Sequence, residues 1–391
     1  MTAVKTGLEI FSESPPPSLK HQRMGLLCNP ASVDSRYAHA RERIRRAFPG
    51  QLKALYSPQH GFYAERQDNM IESADRSDPV TGLPVFSLYG ETRVPTRAMM
   101  DPIDVMLVDL QDVGTRVYTF MYTLSHCMEA ARQYGKKIIV LDRPNPLGGL
   151  RVEGNLLTSD CSSFVGRYPI PMRHGLTIGE LAVLFNTRFG IDCNLEVVSM
   201  RGWRRGMTFD QTGLPWVAPS PNLPTPASTM VYPGQVIWEG TNISEGRGTT
   251  QPFELFGAPF LAPDQLIKNI DERLLSGVVL RPVEFEPTSH KWGGHPCKGF
   301  QIHVTDPGIY SPYALSLGFY QAIFQAYHDN FAYKQPPYEY EYTRLPMDLI
   351  LGDRRIRSNI EAGTPLKDIV AGWGDSLSTY TKMIKEIYIY N

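Results

Sequence analysis

The chain has 391 residues, with 39 Lys and Arg against 40 Asp and Glu, a formal charge of −1. That length exceeds one ordinary core and predicts two domains, and the balanced charge removes any electrostatic ground for nucleic-acid binding. The five cysteines are far apart, odd in number and without a CxxC pair, which argues against a disulfide scaffold or structural zinc and for free buried thiols in a reducing compartment. Residues 1–20 carry no apolar stretch ahead of Pro15-Pro16-Pro17. No run of about 20 apolar residues reads as a membrane span, so a cytoplasmic location is expected.

In chain order, residues 24–28 read as a strand, 36–48 as a basic helix and 52–56 as a second strand. Residues 85–89 and 105–108 give two more strands, 120–134 a helix and 137–141 a fifth strand. Strands alternating with helices at this spacing imply parallel pairing through right-handed crossovers. The strand runs are nearly all apolar, as expected when both sheet faces are covered. Thr177-Ile178-Gly179-Glu180 is a capping box that opens a helix through Arg188, with Gly190 as its stop. Residues 195–198 add a sixth strand. Prolines at 215, 219, 221, 224, 226 and 233 mark 215–233 as a rigid connector without regular structure. Beyond it, 278–285 and 300–305 read as strands and 313–328 and 375–387 as helices, with Trp373, Tyr388 and Tyr390 as core. The expected architecture is α/β: a Rossmann-like, mostly parallel N-terminal domain over 1–229 and a smaller α+β C-terminal domain over 230–391.

In an open parallel sheet, ligands bind beyond the carboxyl ends of the strands. Here the strands exit into Asn29-Pro30, Ser57-Pro58-Gln59-His60-Gly61, Gly90-Glu91-Thr92-Arg93, the run from Asp109 to Arg116, and Asp142-Arg143-Pro144-Asn145-Pro146. All are polar, and together they predict a polar cleft. No GxGxxG follows the first strand and no GxxxxGK[ST] occurs, so no nucleotide is expected. A GxSxG elbow is also missing, which leaves a serine nucleophile unsupported. His60 or His174 as the base of an amidase or esterase remains an alternative. His290, His295 and Cys297 match no standard ligand spacing, and no metal is expected.

Carboxylates fit the chemistry better. Glu91 follows a strand and is flanked by Gly90. The segment from Glu239 to Thr250 is small and polar with three glycines. Such a segment builds no core and reads as the wall of a site. Glycosidic hydrolysis needs one protonated and one ionised carboxyl group. Glu91, Asp112 and Glu245 are the candidate acid/base groups, with His60 beside them. Each has a structural alternative: Glu91 paired with Arg93, Asp112 capping a turn, Glu245 paired with Arg247, His60 bonded within its loop.

The runs Ser57-Pro58-Gln59-His60-Gly61, Ser87-Leu88-Tyr89-Gly90, Asp109 to Thr119 and Leu141-Asp142-Arg143-Pro144-Asn145-Pro146, with Arg173-His174-Gly175-Leu176-Thr177-Ile178-Gly179-Glu180, Pro219-Ser220-Pro221-Asn222-Leu223-Pro224 and the Glu239 to Thr250 loop, follow in one order over nearly the whole chain. In that order they resemble the NamZ-type exo-β-N-acetylmuramidases. The resemblance implies a Rossmann-like domain, a smaller C-terminal domain and an active site in the cleft between them. It implies removal of β-linked N-acetylmuramic acid from the non-reducing end of peptidoglycan fragments, without a cofactor. The implied partner is a small carbohydrate or muropeptide, with neither nucleic acid nor membrane involved. The sugar's lactyl carboxylate calls for a cation, and Arg116, Arg143, Arg173 and Arg247 lie in the matching motifs. Gln59, Glu65, Tyr118, Asp142, Asn145, His174, Asn222, Glu239 and Asn242 are the other implied substrate contacts. One position departs. The family's pattern at the second exit is Ser-Pro-Glu-His-Gly, and here Gln59 replaces the glutamate. An amide cannot exchange the proton, so Glu65 or Glu91 takes over, or the chain is a catalytically altered or silent amino-sugar-binding protein. A shared chemistry further requires Glu91, Asp112 and Arg247 to meet in one sugar-sized hollow.

Overall fold

The computed structural model describes residues 4–67 and 70–391. Its N-terminal part contains β1 (Met24–Cys28), β2 (Leu52–Ser57), β3 (Arg76–Ser77), β4 (Pro84–Ser87), β5 (Val105–Asp109), β6 (Lys137–Leu141), β7 (Glu153–Leu156), β8 (Pro171–Arg173) and β9 (Asn194–Val198). Seven of these form one sheet in the order β3-β4-β2-β1-β5-β6-β9. Every neighbouring pair is parallel except β3 with β4. The chain runs outward from β1 to β4, then restarts at β5 on the other side of β1. The gap between the carboxyl ends of β1 and β5 is therefore the topological switch point, where open α/β sheets bind ligands.

Successive strand residues face opposite sides, as the pleat demands. Leu26, Leu55, Leu107 and Ile139 join helices Gly7–Glu13 and Ala40–Ala47 in one apolar cluster. Leu27, Met106, Val108, Ile138 and Val140 join helices Phe120–Tyr134 and Ile178–Thr187 in a second, which continues unbroken through Trp238, Phe256 and Tyr313 of the C-terminal part. Burying each such aliphatic side chain contributes about 1.5–3 kcal/mol. The expected capping box is present: the Thr177 hydroxyl accepts from the Glu180 amide at 3.2 Å and the Glu180 carboxylate from the Thr177 amide at 3.1 Å.

The C-terminal part holds an antiparallel sheet of β10 (Leu255–Ala258), β12 (Cys297–Val304) and β11 (Val278–Phe285), in the order β10-β12-β11. Helix Pro312–Ala326 packs with it, and four shorter helices fill residues 346–385. The proline-rich connector is the main local correction. Residues Pro226–Gln235 are a helix. Thr225 caps it, its hydroxyl accepting from the Ser228 amide at 3.0 Å. Pro226 occupies the first turn, where its missing N–H costs nothing, and Pro233 falls two residues before the helix ends. A Cβ on Gly234 would meet the Pro312 carbonyl oxygen at 2.0 Å, so only glycine permits this contact between the two helices.

Two ties stand out among those that bind the parts. The buried Arg116 guanidinium donates to four backbone carbonyls: Asn155 at 2.8 Å, Ile170 at 3.2 Å, Ile350 at 3.1 Å and Leu351 at 2.7 Å. The C-terminal tail returns to the first sheet, where the Tyr390 hydroxyl donates to Asp142 at 2.6 Å and the Ile389 amide to Glu180 at 2.9 Å. Among the described residues no helix is long and apolar enough to cross a membrane.

Candidate active site

Beyond β2 the chain turns sharply. His60 adopts a left-handed φ of +73° and Gly61 one of +85°. The turn leaves Gln59 buried and aimed at the C-terminal part. Its Oε1 accepts from the Thr119 hydroxyl at 2.6 Å, and its Nε2 donates to Glu339 Oε1 at 2.9 Å and to the Tyr89 oxygen at 3.2 Å. Tyr89 accepts from the Met70 amide at 3.0 Å and donates to Glu339 Oε2 at 2.6 Å. Glu339 and Tyr340 both have left-handed backbones, with φ of +47° and +66°. Such strain in non-glycine residues collects at functional sites.

A second group of charges centres on the turn Val236–Gly240 and the glycine-rich loop that follows it. Arg247 bridges two buried carboxylates, reaching Glu239 at 2.6 Å and Glu245 at 3.2 Å. Glu245 also pairs with Lys291 at 2.6 Å, whose ammonium donates to the carbonyls of Trp238 at 2.6 Å and Ile243 at 2.9 Å. The Tyr338 hydroxyl donates to Glu239 at 2.7 Å. The dipeptide Tyr338-Glu339 therefore touches both groups and joins them.

The electrostatics separate the two carboxyls. Burial works to raise Glu239, but the charge and hydrogen bond of Arg247 and the Tyr338 hydroxyl outweigh it and hold the carboxyl below its ordinary range. Burial raises Glu339, against the pull of its bonds from Tyr89 and Gln59, and the Glu239 charge adds to the rise. Arg247 is raised because Glu239 and Glu245 outweigh its burial, and Lys291 is lowered by burial despite Glu245. Two carboxyls driven apart in this way are what acid/base division of labour requires.

An open cavity of about 520 Å³ is lined by Glu239, Asn242, Glu245, Arg247, His290, Lys291 and Lys334. That size suits a small ligand. Behind the Glu239–Arg247 pair lies a hollow of about 30 Å³, walled by Gln59, His60, Tyr118, Thr119, Tyr232 and Glu339 among others. It has room for about one water, and the buried Tyr118 hydroxyl lacks a hydrogen-bond partner among the described residues. A groove of about 960 Å³ continues past His290 along Asn222, Thr249 and Thr288.

The cleft therefore gathers Gln59, His60, Tyr118, Glu239, Asn242, Glu245 and Arg247 from the sequence expectations, with Asn222 in the adjoining groove. Most of the remaining expected contacts are spent on architecture. Arg116 is consumed by its four carbonyls. Arg143 forks onto Asp109, at 2.9 Å for one arm, and donates to the Val33 carbonyl at 2.8 Å. Asp142 accepts from Thr177 at 2.8 Å, Gly179 at 2.7 Å, Arg143 at 2.9 Å and Tyr390. Asn145 closes its own loop through the Leu147 amide and Leu176 carbonyl, each at 2.9 Å. Arg173 donates to the Leu147 carbonyl at 2.6 Å, and burial pushes its guanidinium down to about 10. His174 and Asp112 face each other at 3.2 Å, both fully enclosed, and Asp112 accepts from the Gly114 amide at 2.6 Å. Glu65 is exposed and paired with Arg76 at 3.3 Å. Glu91 is exposed at the surface, outside the residues that line the cleft. Glu91, Asp112 and Arg247 therefore do not share one hollow. The convergence lies instead among Glu239, Arg247, Glu245 and Glu339. Glu339, Tyr338, Tyr89, Thr119 and Lys291 were not anticipated. The only sequence signal for the first two is the alternation Tyr338-Glu339-Tyr340-Glu341-Tyr342.

A Rossmann-like sheet carrying a smaller α+β part, with buried carboxylates and cations against the loops that leave the carboxyl ends of its strands, defines a two-domain α/β protein with a polar, acid/base-capable cleft. The profile of the exo-β-N-acetylmuramidase NamZ N-terminal region matches residues 24–227, and that of its C-terminal region matches residues 230–390. A peptidoglycan β-N-acetylmuramidase NamZ from Bacillus subtilis (strain 168) is 42% identical over 387 residues, covering 99% of this chain and 91% of the relative. Crystal structures of two DUF1343 family proteins from Bacteroides fragilis superpose with TM-scores of 0.89 and 0.77, at 34% and 27% identity. Each match covers 100% of this chain, and 100% and 99% of the respective structures. The chain belongs to the exo-β-N-acetylmuramidase NamZ family.

Proposed function

We propose that the chain is a glycoside hydrolase that removes β-linked N-acetylmuramic acid from the non-reducing end of peptidoglycan fragments. The observation that carries it is the meeting of Glu239, Arg247, Glu245 and Lys291 along one wall of a sugar-sized cleft. The ionised Glu239 faces the position where positive charge develops at the anomeric carbon. Arg247 and Lys291 hold the wall's carboxylates in place and leave a cationic border for an acidic sugar. Of the four arginines assigned to the lactyl carboxylate, Arg247 alone lines the cleft. The division at 229/230 is part of the same proposal, supported by the two profiles that meet there. A cytoplasmic setting is supported by five buried, unpaired cysteines.

The test is purified protein on a disaccharide of N-acetylmuramic acid β-linked to N-acetylglucosamine, and on a muropeptide carrying a stem peptide. The expected products are free N-acetylmuramic acid and the shortened glycan. Released peptide would indicate an amidase. Binding without turnover at any pH would indicate the silent sugar-binding protein suggested by Gln59.

A further inference from the structure

We infer that Glu339 is the proton-exchanging carboxyl of this chain, acting across the Gln59 contact in place of a glutamate at position 59. The inference rests on the glycosidase reading.

The hydrogen-bond directions argue for it. The Gln59 amide oxygen is occupied by the Thr119 hydroxyl, which fixes Nε2 as the donor to Glu339 and Tyr89. The Tyr89 oxygen receives Gln59 and the Met70 amide, so its own proton goes to Glu339. Neither neighbour can accept a proton from Glu339. Each carboxyl oxygen accepts one protein bond and keeps a second lone pair. A proton taken up by Glu339 therefore sits on the remaining lone pairs, beside the small hollow it lines with the Tyr118 hydroxyl, which has no partner among the described residues. Gln59 behaves as a carboxylic acid that never ionises: it donates where a protonated glutamate would, and leaves Glu339 as the one member of the pair able to exchange. The left-handed backbone at Glu339 and Tyr340 shows that the segment is held in this position at a conformational cost.

The step balances with this single carboxyl. The bond from the anomeric carbon to the leaving oxygen breaks, its electron pair stays on that oxygen, and the oxygen takes the proton of Glu339, passed on through the one water for which the small hollow has room. A water oxygen then bonds to the anomeric carbon, and a water proton returns to the Glu339 carboxylate. One water is consumed, two sugars are released and Glu339 is restored.

The experiment compares two β-N-acetylmuramides, one with a 2,4-dinitrophenyl leaving group that needs no protonation and one with N-acetylglucosamine that does. Glu339→Gln should lower kcat/KM on the disaccharide by on the order of 100-fold or more while changing the dinitrophenyl substrate by less than about 10-fold. It should also flatten the alkaline limb of the disaccharide pH profile. The exchange Gln59→Glu with Glu339→Gln reverses the amide and carboxyl across the same contact and should restore part of the disaccharide rate. An equal fall on both substrates, or an unchanged disaccharide rate in a variant with the wild-type melting curve, overturns the role of Glu339 while leaving the glycosidase reading intact. A wild-type protein inert on both substrates removes both.

Discussion

The strand-exit loops of the N-terminal sheet and the loop pair of the C-terminal part use the same residue types for opposite ends. In the first region, Arg116, Asp109 with Arg143, Asp112 with His174, and Asp142 turn inward and are bonded to backbone or paired with one another. In the second, Glu239, Arg247, Glu245 and Lys291 are also paired, yet they line an open cavity. Buried charge is costly in both places. The first region uses it to lock domains together, the second to hold charge where a substrate can meet it. A conspicuous motif therefore marks a place where charge is needed, without saying which of the two needs it.

The contrast can be broken from either side. Arg116→Met should have the largest effect: four buried carbonyls lose a donor, those of Leu351 and Ile170 keeping a second from the Asn155 amide and the Leu157 N–H, and at roughly 1–3 kcal/mol for each one left bare the net loss should be about 3 kcal/mol or more. A urea melt measures it, and the protein that remains folded should keep wild-type KM. Glu245→Gln should act mainly on catalysis. It leaves the buried Lys291 and Arg247 short of one counter-charge, so kcat/KM should fall by on the order of 10-fold, with about 2 kcal/mol lost in the same melt.

Asp142 gives a smaller, pH-dependent effect. Burial pushes its carboxyl up to about 7 against the donors from Tyr390, Thr177 and Gly179. The folded state therefore binds a proton more readily than the unfolded chain between the ordinary aspartate range and about 7. This group's contribution falls as pH rises through that window, by at most about 1.4 kcal/mol per pH unit. Asp142→Asn should flatten the slope seen in melts across the window. Glu91→Gln should have the smallest effect, within about 0.5 kcal/mol in stability and with unchanged turnover. A large loss of activity there would return Glu91 to the site.

The sheet was legible because its strands are buried on both faces and so read as unbroken apolar runs, as in Val105–Asp109 and Lys137–Leu141. The two-residue edge strand Arg76–Ser77 left no such trace, being exposed. Helix Pro226–Gln235 was hidden because its prolines look like breakers until their positions in the first and last turns are known. In the site, the glycine-rich loop was found because small polar residues cannot form a core. Glu339 was not, because nothing local distinguishes it from Glu341. What distinguishes it is Gln59, 280 positions earlier in the chain, and only the fold brings them together.

The tail contact carries a consequence for biosynthesis. Asp142, at the end of a central strand, obtains one of its donors from Tyr390, 248 positions downstream, and Glu180 waits 209 positions for Ile389. On the ribosome, the nascent N-terminal half must therefore stand with these acidic groups only partly satisfied until residues 389 and 390 have been made. Ile389 and Tyr390 act as a latch, and substitutions there should be felt first in the half of the protein that was made earlier.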